Sequence, residues 1–154
     1  MRSTLRVSKE DLIAWYEAWG RRDWDRVGAF LGRGFVACDV ALGVELRGRA
    51  EYLRYAKAWA HAFPDATLKL DRLLGVSPSG GDLAVVEYSG TGTQQGPWVG
   101  FPPSRRKVTM RFCDLMRFEH DKLVQLTTYS DLYAPLRELG HVPPKARFPW
   151  KEVA

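Results

Sequence analysis

Apolar residues recur every three or four positions in the first part of the chain and every second position later on. Leu12, Trp15, Tyr16 and Trp19 fall at i, i+3, i+4 and i+7, one face of a helix. Ser8 precedes them as an N-cap, Glu10 and Asp11 sit in the first turn where acids suit the helix dipole, and Gly20 closes the element. Asp23 caps a second predicted helix through Val27, Phe30 and Leu31, which Gly32 and Gly34 end. Residues 35–39 read as a strand, followed by a turn at Gly43. Gly48 precedes a third helix with Tyr52, Tyr55, Ala56, Trp59 and Phe63 in helical period, stopped by the ring of Pro64.

From residue 67 the period becomes two. Residues 67–76, 83–93, 107–118 and 123–130 read as strands. They are separated by the turn Ser77-Pro78-Ser79-Gly80-Gly81, a loop marked by Gly96-Pro97 and Pro102-Pro103, and the polar turn Glu119-His120-Asp121. A last helix carries Leu132, Leu136 and Leu139 and stops at Gly140. Helices followed by a run of antiparallel strands describe an α+β domain, with one strongly bent sheet covered on its concave face by the three early helices. That domain is expected over residues 1–140, and 141–154, with Pro143, Pro144 and Pro149, form an extended tail.

Composition narrows the picture. A chain of 154 residues suits one domain, and an apolar content of 45% excludes disorder. Cys38 and Cys113 alone make no disulfide framework. No apolar run approaches the roughly 20 residues of a membrane span. Met1-Arg2-Ser3-Thr4 lacks the apolar stretch of a signal peptide, so a cytoplasmic protein is expected. The net charge of +5 comes from Lys and Arg spread along the whole chain, with Arg105-Arg106-Lys107 the densest cluster. Nucleic-acid footprints gather on one face or arm, so nucleic acid is not the expected partner.

Strand alternation makes one sharp statement. Met110, Phe112, Asp114, Met116 and Phe118 share a face, opposite Arg111, Cys113, Leu115 and Arg117. Asp114 therefore points where its large apolar neighbours mark the interior. A carboxylate there is expensive to ionise, so either something pairs it or its pKa rises and it stays protonated. A protonated interior acid is a good donor to a developing oxyanion, while a structural Asp would be tied to an Arg or a backbone amide. Asp39 is a second case, sharing a face with Phe35 and Ala37, although an Asp before a turn commonly caps local backbone.

The stretch Asp39-Val40-Ala41-Leu42-Gly43-Val44-Glu45-Leu46-Arg47-Gly48, leading into an aromatic helix, resembles ketosteroid isomerases and their relatives in the nuclear transport factor 2-like superfamily. Asp114-Leu115-Met116-Arg117-Phe118 resembles the strand whose Asp is the neutral oxyanion-hole acid of those enzymes. The loop from Gly96 to Arg106, with Gly100-Phe101-Pro102-Pro103, and the ending from Tyr129-Ser130-Asp131 to Gly140 resemble SnoaL-type polyketide cyclases. The resemblance covers about residues 8–140. It implies a cone-shaped α+β barrel, a curved mixed or antiparallel sheet wrapped around N-terminal helices, with a deep apolar cavity and dimerisation through the outer sheet face.

It further implies Asp39 as general base and Asp114 as neutral acid. The first-helix Tyr of the isomerases falls on Trp15, with Tyr16 one step away; Tyr88, on one face with Ala84 and Val86, offers another hydroxyl. The cyclases' catalytic Asp on the final strand falls on Thr128. The Arg and Asp of limonene epoxide hydrolase-like relatives fall on Tyr88 and Gly90.

The expected function is acid–base enolate chemistry on a bulky apolar carbonyl compound, an isomerisation or a polyketide-type ring closure. Asp39, Asp114, Tyr88 and Tyr16 are the expected catalytic residues. Trp15, Trp19, Tyr55 and Trp59 from the helices are expected to bind substrate, with Met110, Phe112, Met116 and Thr128 from the strands. A non-catalytic small-molecule binder and an epoxide-opening cyclase or hydrolase are the alternatives. No cofactor or metal is expected: His61, His120 and His141 are scattered, no HExxH or paired CxxC occurs, and the third Gly of Gly90-Thr91-Gly92-Thr93-Gln94-Gln95-Gly96 is one place late for a dinucleotide loop. The expected partners are a small apolar ligand and a second copy of the chain, not nucleic acid or a membrane.

Overall fold

The computed structural model describes residues 7–76 and 82–144. The turn at 77–81, the opening residues 1–6 and the tail from 145 lie outside that description. Helix α1 (Lys9–Gly20) begins at the expected cap: the Asp11 N–H donates to Ser8 Oγ at 3.1 Å, and the Ser8 N–H donates to the Asp11 carboxylate at 2.9 Å. Asp23 caps α2 (Trp24–Phe30) through the Arg26 N–H at 3.1 Å.

The next strand starts earlier than its glycines suggest. β1 (Leu31–Asp39) contains Gly32 and Gly34, which the sequence assigns to a helix end. Gly34, at φ +74°, lies where the pairing of β1 shifts register between Leu31 and Val36, so it serves an irregularity in a strand. A short strand that the hydrophobic pattern does not signal, β2 (Val44–Arg47), pairs back onto β1. Gly48, at φ +81°, turns the chain from that strand into α3 (Gly48–Ala62).

Strands β3 (Thr67–Val76), β4 (Asp82–Thr93), β5 (Lys107–Glu119) and β6 (Lys122–Ser130) follow as the period-two pattern predicts, and α4 (Tyr133–Glu138) closes the domain. His120 and Asp121, at φ 48° and 64°, make the two-residue turn between β5 and β6.

The sheet runs β2-β1-β6-β5-β4-β3. It is mixed, because β1 lies parallel to β6 while the other neighbours are antiparallel. The first strand therefore pairs with the last, an adjacency no local pattern announces. The register places Asp39 opposite Thr128 and Thr128 opposite Asp114. Two carboxylates thus stand in one transverse row with a threonine between them, roughly 10 Å apart at two strand spacings.

The helices bury the concave face. Trp15, Tyr16, Phe35, Tyr52, Val86 and Met116 belong to the main core, and a second cluster forms around Phe63, Trp98, Val108 and Leu139. The loop between β4 and β5 is organised by Gln94, which is fully buried. Gln94 Nε2 donates to the carbonyls of Gly96 and Pro102, at 3.2 and 3.1 Å, and Oε1 accepts from the Ser104 N–H at 3.2 Å. His141, placed by the sequence in the tail, reaches the same Oε1 at 2.6 Å and stacks on Phe101. No helix among the described residues is long and apolar enough to cross a membrane.

Candidate active site

A cavity of about 120 Å³ lies between the helices and the sheet. Tyr16, Tyr52 and Tyr55 from the helices meet Asp114 and Thr128 from the strands at one end. From there the wall follows the strands through Tyr88–Phe112, Gly90–Met110 and Gly92–Val108, three successive cross-strand pairs facing inward. Trp15, Trp19 and Trp59 complete the aromatic lining on the helix side. Tyr88 and Phe112 stack with centroids 4.9 Å apart and ring planes 11° apart, which gives this wall a flat surface.

Most of the expected residues are brought together. Trp15, Tyr16, Trp19, Tyr55 and Trp59 line the cavity, as do Tyr88, Met110, Phe112, Asp114 and Thr128. Met116 does not: it is 1% exposed and packs in the core, its sulfur 3.7 Å from the Tyr16 hydroxyl. Asp39 is also absent from the cavity wall. Its Oδ1 accepts the Leu42 N–H at 3.1 Å, the local turn bond that an Asp in this position favours, and its Oδ2 accepts the Tyr55 hydroxyl at 2.5 Å. The carboxylates therefore do not face each other across the cavity. Tyr55 stands in front of Asp39.

Asp114 has a different set of partners. The Tyr16 hydroxyl donates to Oδ2 at 2.7 Å and the Thr128 hydroxyl to Oδ1 at 2.7 Å, with the Tyr88 hydroxyl adding a weaker stabilisation of the same charge. The first-helix hydroxyl is that of Tyr16; Trp15 turns its ring onto Tyr52 and Phe30. Among the described residues no Lys, Arg or His pairs with Asp114.

Burial pushes the Asp114 carboxyl up from the ordinary range to about 6. The three hydroxyls pull the other way by favouring the charged form, and the charge of Asp39 adds to the rise. The rise is in the direction the resemblance implies, and it brings both the protonated and the charged form of Asp114 within reach near neutral pH. Burial and the Asp114 charge hold the Tyr16, Tyr88 and Tyr52 hydroxyls well above their usual value, so these protons stay on oxygen as donors. Tyr55 is raised likewise, by burial and then by Asp39. In this cavity Asp114 is the group placed to gain and lose a proton near neutrality.

Several lining residues lie outside the set expected from the sequence, among them Tyr52, Phe63, Leu68, Val108, Gly90 and Arg22, and the last two are the hardest to read from it. Gly90 is a cavity-facing position without a side chain, where an added Cβ would touch Leu68 and Phe112 at 3.3 and 3.6 Å. Arg22 lies in the turn between α1 and α2 and lines the cavity at the end away from Asp114. Neither shows in a periodicity, because one is defined by a missing side chain and the other by a turn. Among the described residues, no three His, Cys, Asp or Glu side chains gather as a metal site.

A mixed six-stranded sheet curved over N-terminal helices, with an aromatic cavity between them, defines a nuclear transport factor 2-like α+β protein. Within that class the chain belongs to the SnoaL-like polyketide cyclase family, whose model matches residues 11–139. Its fold is similar to that of AclR from Streptomyces galilaeus, a candidate hydroxylase, at 21% identity over 86% of this chain and 94% of that one, with a TM-score of 0.74. It is also similar to IdmH from Streptomyces antibioticus, a candidate polyketide cyclase, at 23% identity over 84% and 95% of the two chains, TM-score 0.69. A protein of ketosteroid isomerase-like fold from Catenulispora acidiphila DSM 44928, solved with trimethylamine, matches at 15% identity over 92% and 100%, TM-score 0.72. A search of curated proteins finds no match.

Proposed function

We propose that the protein is an enzyme of acid–base enolate chemistry on a flat, apolar carbonyl compound, with Asp114 as the group that moves the proton. Ring closure of the polyketide type or double-bond isomerisation would both proceed this way. The supporting observation is a carboxylate at the end of an aromatic cavity that, among the described residues, is held by hydroxyl groups and by no cation. Such a carboxylate is a stronger base than an exposed one, and its value near 6 suits both taking and returning a proton at neutral pH.

In this reading Asp114 removes a proton from the carbon beside the substrate carbonyl. As its charge disappears, the Tyr16 hydroxyl is released from Oδ2 and donates to the enolate oxygen that has just formed. Thr128 keeps the carboxyl oriented through Oδ1. The enolate carbon then attacks a second carbonyl of the same molecule, and Asp114 returns its proton to the resulting alkoxide; in an isomerisation it returns the proton to carbon instead. Neither route needs an external oxidant or reductant. Asp39 takes no proton in this scheme: it holds the Tyr55 hydroxyl at the wall, a positioning role. The cavity as it stands is close to the size that accepts one aromatic ring, so a larger molecule would enter ring first with its remainder beyond the mouth.

The test is α-proton exchange. Wild-type protein incubated with 2-tetralone in deuterated buffer should speed loss of the α-proton NMR signal, and Asp114→Asn should not. Exchange unchanged by that substitution removes Asp114 from the role, and tight binding of the ketone without exchange favours a binding protein. Leu74, Leu83, Leu115 and Tyr129 are exposed. All four lie on the outer sheet face, which supports a homodimer, and light scattering should give twice the chain mass.

A further inference from the structure

The two ends of the cavity differ in charge. Asp114 and its hydroxyls occupy one end. At the other, Arg22 lines the wall beside Phe63 and Ala66. Tyr16 and Arg22 are six positions apart along α1 and its exit turn, so the ends are separated by on the order of 10 Å. Arg22 is held in the left-handed region, at φ 57°, and its Nη2 donates to the carbonyls of Phe63, at 3.4 Å, and of Pro64. These bonds strap the α1–α2 turn to the end of α3.

The strap uses only part of the side chain. A guanidinium has five N–H groups. Two bonds leave Nη2 toward carbonyl oxygens, and the N–H groups of Nε and Nη1 make none among the described residues. No carboxylate there forms an ion pair with Arg22. The acid nearest in sequence to the strapped carbonyls, Asp65, is turned to Thr93, whose N–H and Oγ1 hold its oxygens at 2.7 and 2.8 Å. An aromatic cavity with a proton-transfer carboxylate at one end thus carries an uncompensated, forked cation at the other. Guanidinium geometry matches a carboxylate, and a partly desolvated pair of this kind discriminates strongly against a neutral isostere.

We propose that Arg22 recognises a carboxylate on the substrate at the end remote from the reacting carbonyl, so that the substrate class is a flat aromatic keto acid rather than a neutral ketone. This rests on the cavity being the substrate site, as proposed above. Arg22 acts here as a specificity-determining residue and takes no part in the proton transfer.

Quenching of the tryptophans that line the cavity gives the test, with 2-naphthylacetate and its methyl ester as probes. Wild type should bind the acid about tenfold more tightly than the ester, the size of one charge-assisted contact. Arg22→Met should bind both alike, and Arg22→Lys should keep part of the preference. Arg33→Met, which removes an equal charge from an exposed site on β1, should keep all of it. If Arg22→Met does not fold, Arg22→Gln keeps a polar amide in place of the guanidinium while losing the charge, and the same loss of preference is expected.

Equal binding of acid and ester by wild type overturns the proposal, as does a preference that survives removal of the Arg22 charge. In either case, an ester that still quenches wild type but not Gly90→Leu leaves the cavity reading standing. No quenching by any naphthyl probe sinks both.

Discussion

Asp39 and Asp114 occupy the same row of the sheet, both on its inner face and both shut off from solvent, at 3% and 2% exposure. Their surroundings diverge from there. Asp39 stands at a strand end and spends one oxygen on the backbone of its own turn and the other on Tyr55. Asp114 stands mid-strand, where local N–H groups are committed to the ladder, and meets side-chain hydroxyls from α1, β4 and β6. Burial alone does not make a carboxylate reactive. The difference lies in whether its partners are fixed backbone donors or hydroxyls that can turn to a substrate, and in whether a cavity reaches it.

The largest effect that separates the two is on proton transfer. Asp114→Asn should lower α-proton exchange of 2-tetralone by about 10²–10⁴-fold, the usual worth of a positioned base, while Asp39→Asn stays within about tenfold of wild type. Gly90→Leu fills the cavity from β4, where the tightest neighbour of an added Cβ is the end of the Leu68 side chain. It should weaken naphthyl probe binding by at least about tenfold, through loss of room for one ring, with an unchanged circular dichroism spectrum. Tyr16→Phe removes one donor from Asp114 and from the enolate, and should slow exchange by roughly tenfold.

Asp39→Ala should act mainly on stability. It leaves the Leu42 N–H and the half-buried Tyr55 hydroxyl without their partner, a cost of about 1–3 kcal/mol in urea unfolding. An effect of similar size is the pH dependence of folding. Because the folded carboxyl of Asp114 lies above its unfolded value, its contribution is fully present at low pH and is lost as pH rises through about 6. Asp114→Asn escapes that loss, so its stability relative to wild type should improve between about pH 4 and 7, by on the order of 2 kcal/mol.

The sequence carries Asp114 well and its partners poorly. Alternation over Met110 to Phe118 is enough to aim Asp114 inward, because five strand positions fix a face. That Thr128 and Asp39 share its row depends on β1 lying parallel to β6, a pairing decided by the whole sheet. Trp15 and Tyr16 are adjacent on one helix face, and only the seating of α1 on the sheet determines which of them reaches Asp114. β2 is silent because Leu46 alone among its four residues is buried, too few for a period. Gly32 and Gly34 mislead for the opposite reason: they are helix terminators by type, used here in a strand. Gln94 and His141 were unreadable as a pair, since nothing local joins a buried amide to a ring 47 positions away.

The proposed chemistry turns on Asp114 as the base. Its most direct test is the pH profile of 2-tetralone α-proton exchange in wild type, Asp114→Asn and Asp39→Asn. Exchange should rise with pH through an apparent value near 6 in wild type and, at a slightly lower value, in Asp39→Asn, where the neighbouring negative charge is gone. In Asp114→Asn that limb should be absent. A limb near 6 that persists in Asp114→Asn, or that vanishes in Asp39→Asn alone, would contradict the assignment and return the proton to the other carboxylate.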